Sequence, residues 1–197
     1  MAYRNLAEGL ETRCAAFDGN RLIAEGAAGG VALQVKALIA SKPDASILIF
    51  DDATSLPVEI DFEGSDQDVL AWIASWAVKP AEPSTGPGRP KLGVTAREVT
   101  LLPRQWEWLA EQPGGASVAL RKLVDEARKA NAGKDAARLA QESAYRFVVT
   151  MAGDLAGFEE ASRALFANDG ERFEAMTEAW PTDVRDRARS LAARAIG

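Results

Sequence analysis

Apolar residues along this chain change period several times, and each change marks an element. Two short apolar runs, Cys14-Ala15-Ala16-Phe17 and Arg21-Leu22-Ile23-Ala24, flank Asp18-Gly19-Asn20. Asp-Gly between such runs predicts a tight β-hairpin. Gly26 to Gly30 breaks the pattern, after which Val31, Val35, Leu38 and Ile39 recur at helical spacing as far as Lys42-Pro43. Ile47-Leu48-Ile49-Phe50 is continuously apolar and predicts a buried strand. Val58-Glu59-Ile60-Asp61-Phe62 alternates, which predicts a half-buried strand pairing with it. Ser65-Asp66-Gln67-Asp68 has the form of a capping box opening a helix, with Val69, Leu70, Trp72, Ile73 and Trp76 on its apolar side. Residues 1–11 are polar and predict no element. The expected order over residues 12–78 is ββαββα, a small α/β domain.

The second half reads differently. Residues 79–93, KPAEPSTGPGRPKLG, hold four prolines and little that could pack, and read as a linker. A short β-type run, Arg97-Glu98-Val99-Thr100-Leu101-Leu102, leads into Pro103, which suits the first turn of a helix. Trp106, Leu109 and Ala110 give that helix an apolar face, from which Trp108 points away. Pro113-Gly114-Gly115 ends it. Ser117 is placed to cap a second helix with Leu120, Leu123, Val124 and Ala127 inward. Asn131-Ala132-Gly133 predicts a break before a longer amphipathic helix, 134–151, bearing Leu139, Ala140, Tyr145, Phe147, Val148 and Met151. Phe158–Ala167, Glu171–Trp180 and Pro181–Ile196 then read as three short helices. Their shared core would draw on Leu165, Phe166, Phe173, Met176, Trp180, Val184, Leu191 and Ile196.

A lone strand ahead of two helices needs partners for its N–H and C=O groups, and the helices cannot supply a ladder. The same strand from a second chain can, as a two-stranded antiparallel ribbon. At these residues the stretch 88–131 resembles the ribbon-helix-helix DNA-binding family, which implies a homodimer placing that ribbon in the major groove of duplex DNA. A closed form, with the strand on the edge of the N-terminal sheet, is the alternative. Taken whole, the chain also resembles an uncharacterised bacterial family known as a domain of unknown function. The residues that carry this are Phe50-Asp51-Asp52-Ala53-Thr54, Gly88-Arg89-Pro90-Lys91-Leu92-Gly93-Val94, Arg97–Pro103 and Pro113-Gly114-Gly115-Ala116-Ser117. That resemblance implies the domain order and no activity. The fold class expected is α+β, with domains at 12–78, a linker at 79–93, a ribbon-helix-helix-like segment at 94–131 and a C-terminal helical bundle at 134–197.

Composition narrows the chemistry. The 197 residues contain no histidine and one cysteine, Cys14. Histidine bases, Ser-His-Asp and Cys-His sites, thiolate zinc clusters and internal disulfides are thereby excluded. The expectation is therefore a protein without enzymatic activity, metal or cofactor. No apolar run approaches the roughly 18 residues of a membrane span, and the start lacks a secretory h-region, so the cytoplasm is the expected compartment. The net charge of −6 is uneven, because residues 88–131 hold eight Lys/Arg against five Asp/Glu. A locally basic segment on an acidic carrier suits site-specific DNA binding.

Each candidate site has a plainer reading beside it. On a ribbon with Val99 and Leu101 inward, Glu98 and Thr100 face the groove, while Arg97 at its edge and Arg104 reach DNA. DNA-reading ribbons usually carry Arg, Lys, Asn, Gln or Thr, and Glu98 departs from this; the plainer reading is a strand that only dimerises. Ser117 with the N–H groups behind it could clamp a phosphate or be an ordinary cap. Gly86-Pro87-Gly88-Arg89-Pro90-Lys91 resembles part of an AT-hook, in which Arg89 and Lys91 would enter the minor groove, or is simply linker. Asp51, Asp52, Glu59, Asp61, Glu63, Asp66 and Asp68 could bind a divalent ion or form a solvated acidic face. Cys14 reads as an inert core thiol. Two functions remain: a homodimeric DNA-binding regulator, or an adaptor that dimerises through the strand-helix-helix and binds proteins with its acidic domains.

Overall fold

The computed structural model describes residues 9–77 and 97–196. The linker at 79–93, with Arg89 and Lys91, lies outside the described residues. The fold is mixed α and β, with a small antiparallel sheet near the start of the chain and helices thereafter. The described residues fall into two compact units, one comprising 9–77 with 136–196 and the other 97–135.

In the first unit a 3-10 turn, Gly9–Glu11, precedes strands β1 (Arg13–Asp18) and β2 (Arg21–Ala27). The hairpin forms where Asp18-Gly19-Asn20 predicts it. Asp18 pairs with Arg21, leaving Gly19-Asn20 as the loop, and Gly19 takes the positive φ of 56° that the tight turn requires. Helix α1 (Ala28–Ser41) follows directly; Gly29 and Gly30 lie inside it rather than in a break. Strand β3 (Ile47–Asp51) pairs antiparallel with β1, so the sheet order is β2-β1-β3 and β1 is central. A central strand needs apolar residues on both faces, which Cys14-Ala15-Ala16-Phe17 supplies.

The alternating run Val58–Phe62 does not become a fourth strand. The chain here meets β3 at one bridge, Phe50 to Pro57, through two bonds, Asp51 N–H to Leu56 O at 3.0 Å and Val58 N–H to Ile49 O at 2.8 Å, before departing. Its apolar residues are instead covered by α2 (Asp66–Ser75): Ile60 and Phe62 pack with Trp72 and Trp76 against the core shared by α1, α2 and one sheet face. Burial of alternate residues was therefore real, but a helix rather than a ladder supplies it. Helix α2 opens with the expected box, the Ser65 hydroxyl accepting from Asp68 N–H and Asp68 returning to Ser65 N–H at 2.7 Å.

The other sheet face meets the C-terminal helices. Ala15, Phe17 and Phe50 share one core with Phe147 and Val148 of α4 (Gly115–Ala152), Leu165 of α5 (Phe158–Phe166), Phe173 of α6 (Gly170–Thr177) and Leu191 of α7 (Thr182–Ile196). Phe17, Phe50 and Phe147 form a triangle with ring centroids 6.1, 5.6 and 5.4 Å apart. The chain thus divides close to 78 and 134, but residues 12–78 and the C-terminal helices fall in one compact unit. The sheet is buried on both sides, and the C-terminal helices provide one of its covers. Phe166, expected inside, is 51% exposed.

The second unit contains α3 (Pro103–Ala110) and the first part of α4. Gly114 and Gly115, at φ 86° and 75°, turn the chain between them. Helix α4 begins at Gly115, so Ser117 lies within its first turn and is not the cap. The helix also runs unbroken through Asn131-Ala132-Gly133. One glycine costs a helix only about 1 kcal/mol, and Asn131 Nδ2 donates back to Ala127 O at 2.9 Å, spending its amide inside the helix. Arg97–Leu102 belongs to no strand, neither in a ladder of its own nor on the N-terminal sheet. Among the described residues it has no ladder partner.

Candidate functional site

Within the second unit, four of the residues singled out for DNA contact, Arg97, Glu98, Thr100 and Arg104, lie close together in sequence and are exposed. Arg97, Glu98, Val99 and Thr100 are exposed, and no backbone–backbone hydrogen bond joins them to any described residue. Leu102 N–H is satisfied by Gln105 Oε1 at 2.8 Å, which with Pro103 fixes the start of α3. Arg104 and Ser117 are exposed as well. Arg97, Glu98, Thr100 and Arg104 thus lie on one short segment, while Ser117 belongs to the start of the next helix.

Beneath that segment the hydrophobic side is unfinished. Leu109 and Ala119 are its buried apolar residues. Val99, Leu102, Trp106, Trp108, Leu123 and Val124 each remain 42–55% exposed. A groove of about 380 Å³ opens between α3 and α4, lined by Leu101, Trp108, Leu109, Leu120 and Leu123. Trp108 therefore lies on the same side as Leu109 rather than away from it, whereas Ala110 is exposed. Among the described residues of this unit, the apolar side chains are thus only partly covered.

The first unit holds a second constellation, built around the turn after β3. Asp51 is 3% exposed, and its Oδ1 accepts from Ala53 N–H, from Thr54 N–H at 2.8 Å and from the Thr54 hydroxyl at 2.7 Å. Asp52 is gripped by Arg187 of α7, with Arg194 Nη1 at 3.6 Å. Burial works to raise the Asp52 pKa, but the Arg187 hydrogen bond and the charges of Arg187, Arg194 and Arg13 outweigh it and hold the carboxyl below its ordinary value. Ser55, buried and at φ 52°, bonds the Ser143 hydroxyl at 2.9 Å, and Arg146 Nη1 donates to Thr54 O at 2.8 Å. These contacts bolt the turn to α4 and α7. They engage Asp51 Oδ1 and Asp52 Oδ1 with protein donors that hold the turn in place.

The remaining acidic candidates are likewise dispersed. Asp61 Oδ1 accepts from Glu63 N–H at 2.9 Å, Asp66 lies 3.4 Å from Lys36 Nζ, and Asp68 is spent on its cap. Among the described residues no three histidine, cysteine or acidic groups converge as a metal ion would need. The Cys14 thiol is buried, and burial together with the nearby Asp51 and Asp52 charges pushes its pKa up to about 12. At neutral pH it carries no nucleophilic thiolate. The Asp52–Arg187 pair escaped sequence reasoning because its partners are 135 positions apart. Its one signal is a pair of aspartates directly after a buried strand.

No curated protein matches the chain, and no solved structure does. A family model does, over residues 13–192, nearly the full length and spanning both compact units. This chain belongs to that family, described as an uncharacterized protein conserved in bacteria, DUF2239.

Proposed function

We propose that residues 97–135 are a dimerisation module and that the protein works as a homodimer binding duplex DNA, in the manner of a transcriptional regulator. The observation that carries the reading is the segment Arg97–Leu102, exposed apart from Leu101 and without a ladder among the described residues, leading into a helical hairpin with most of its large apolar side chains open to solvent. One partner relieves both deficits: a second copy pairs the segment as an antiparallel ribbon and covers Trp108, Leu123 and Val124. Leu101 already turns into the groove between α3 and α4. Alternation then places Val99 beside it and Glu98 and Thr100 on the opposite, DNA-facing side. Arg97 and Arg104 supply phosphate contacts, and the exposed Ser117 stands in the first turn of α4, where N–H groups attract a phosphate.

A second reading has its own observation. Residues 97–135 hold seven basic and six acidic side chains, little more than neutral, and Glu98 would stand among phosphates. On this reading the module only dimerises, and the protein is an adaptor for other proteins.

Light scattering, followed by a salt titration of binding to random-sequence duplex DNA, tests both. The expected results are a dimer, low-salt binding near micromolar, and a log–log salt slope that falls by about two in the Arg97→Ala, Arg104→Ala double variant. A monomer at tens of micromolar would remove both readings. A dimer that ignores DNA at low salt would leave the adaptor.

A further inference from the structure

β3 is an edge strand, and its outer edge is only half used. Antiparallel alternation directs Ile47, Ile49 and Asp51 outward, because Leu48 and Phe50 face β1. Asp51 N–H donates to Leu56 O at 3.0 Å and Ile49 O accepts from Val58 N–H at 2.8 Å, and the pairing ends there. The two segments then part like the arms of a fork. One arm is Ile47, whose outward N–H and C=O meet no ladder among the described residues. The other is Glu59–Phe62, which lies outside any helix or strand and makes no backbone–backbone hydrogen bond among the described residues. Between them lies a groove of about 520 Å³.

The walls of this groove select its occupant. Ile47, Ile60, Phe62 and Trp72, all half-buried, give it an apolar floor continuous with the core under α2. Both arms also present open backbone groups, which an apolar small molecule would bury unsatisfied. A peptide backbone satisfies them on both sides at once. Glu59 and Asp61 are exposed and alternate with the inward Ile60 and Phe62, so the outer lip is negative. Lys36, a nearby cation, is already engaged by Gly64 O at 2.6 Å and by Asp66.

We propose that this fork is a strand-insertion site for an extended segment of a partner protein in which basic residues alternate with apolar ones. The segment adds to β3 as its next strand, its apolar side chains seated on Ile47, Phe62 and Trp72 and its Lys or Arg side chains against Glu59 and Asp61. The site lies wholly in the first compact unit and does not depend on the dimer.

The test uses the full-length protein and two labelled octapeptides, one alternating lysine with valine and one alternating glutamate with valine. Saturable binding of the lysine peptide is expected, with amide shifts in NMR spectra concentrated at Ile47 and Glu59–Phe62. In the Glu59→Lys, Asp61→Lys variant its affinity should fall about tenfold or more, since two attractive pairs become repulsive, and the glutamate peptide should become the better ligand. Both substituted positions are exposed, so the variant should keep its fold, which an unchanged melting temperature would verify. Absence of saturation by millimolar peptide, equal affinity in the variant, or shifts centred elsewhere would each overturn the proposal. So would a change of oligomeric state in the variant, which would put a second copy of this chain in the fork.

Discussion

Phe147→Ala is the substitution that most directly tests how the sheet and the C-terminal helices cohere. Phe147 is 1% exposed and stands 5.6 Å from Phe17 and 5.4 Å from Phe50, centroid to centroid. Removing a buried phenylalanine costs about 3–5 kcal/mol, from lost transfer energy and the cavity left behind. Two aromatic contacts at about 0.5–1.5 kcal/mol each place this site in the upper half of that range. Against a typical domain stability of about 5–15 kcal/mol, the loss is a large fraction. Urea unfolding followed by amide hydrogen exchange gives the size and the reach of the effect. Amides of β1 and of α7 should lose protection by the same amount, because one core joins Phe17 to Leu191. If exchange accelerates in α4 and α7 while β1 is untouched, sheet and helices are separate folding units and the shared core does not bind them.

Two further substitutions probe the turn after β3 and the long helix. Asp52→Asn leaves the Arg187 guanidinium, 9% exposed, without its counter-charge and should cost about 2 kcal/mol by urea titration, less than a fully enclosed pair because solvent reaches Asp52. The lowered Asp52 pKa means its contribution is complete above the ordinary 3.8 and is lost as pH falls through the folded value. The gap between wild type and variant should therefore close on acidification, and a constant gap down to pH 2 would contradict the ion pair. Gly133→Ala should raise stability by up to about 1 kcal/mol, since a Cβ there meets nothing within 4 Å in an unbroken helix. Gly157→Ala should destabilise instead, because its φ is 82° and its Cβ would come 2.6 Å from Met176 O; equal effects in thermal melts would refute the helix assignment.

Family membership fixes what the chain is related to without supplying a chemistry, so the functional readings rest on unsatisfied surfaces. Among the described residues, two of these carry the readings above. The segment at Arg97–Leu102 reads as a strand from its β-type composition, and the structure leaves it outside any strand and exposed apart from Leu101. The fork beside β3 was hidden, because the alternation of Val58–Phe62 reads as an ordinary strand until its missing pairs are seen.

What the sequence determined by itself is whatever depends on neighbours within about four positions. Gly19 set the hairpin loop, Ser65 and Asp68 capped α2, Pro103 started α3, and Gly114 with Gly115 ended the hairpin's first arm. Each acts through a local dihedral or a hydrogen bond that no distant residue needs to complete. Tertiary structure decided everything that asks what covers a face. It gave Ile60 and Phe62 a helix instead of a ladder. It also closed the sheet's second face with Phe147 and found Asp52 its partner in Arg187. Hydrophobic burial is non-directional, so a sequence marks which side chains will leave water but not which neighbours will take them in.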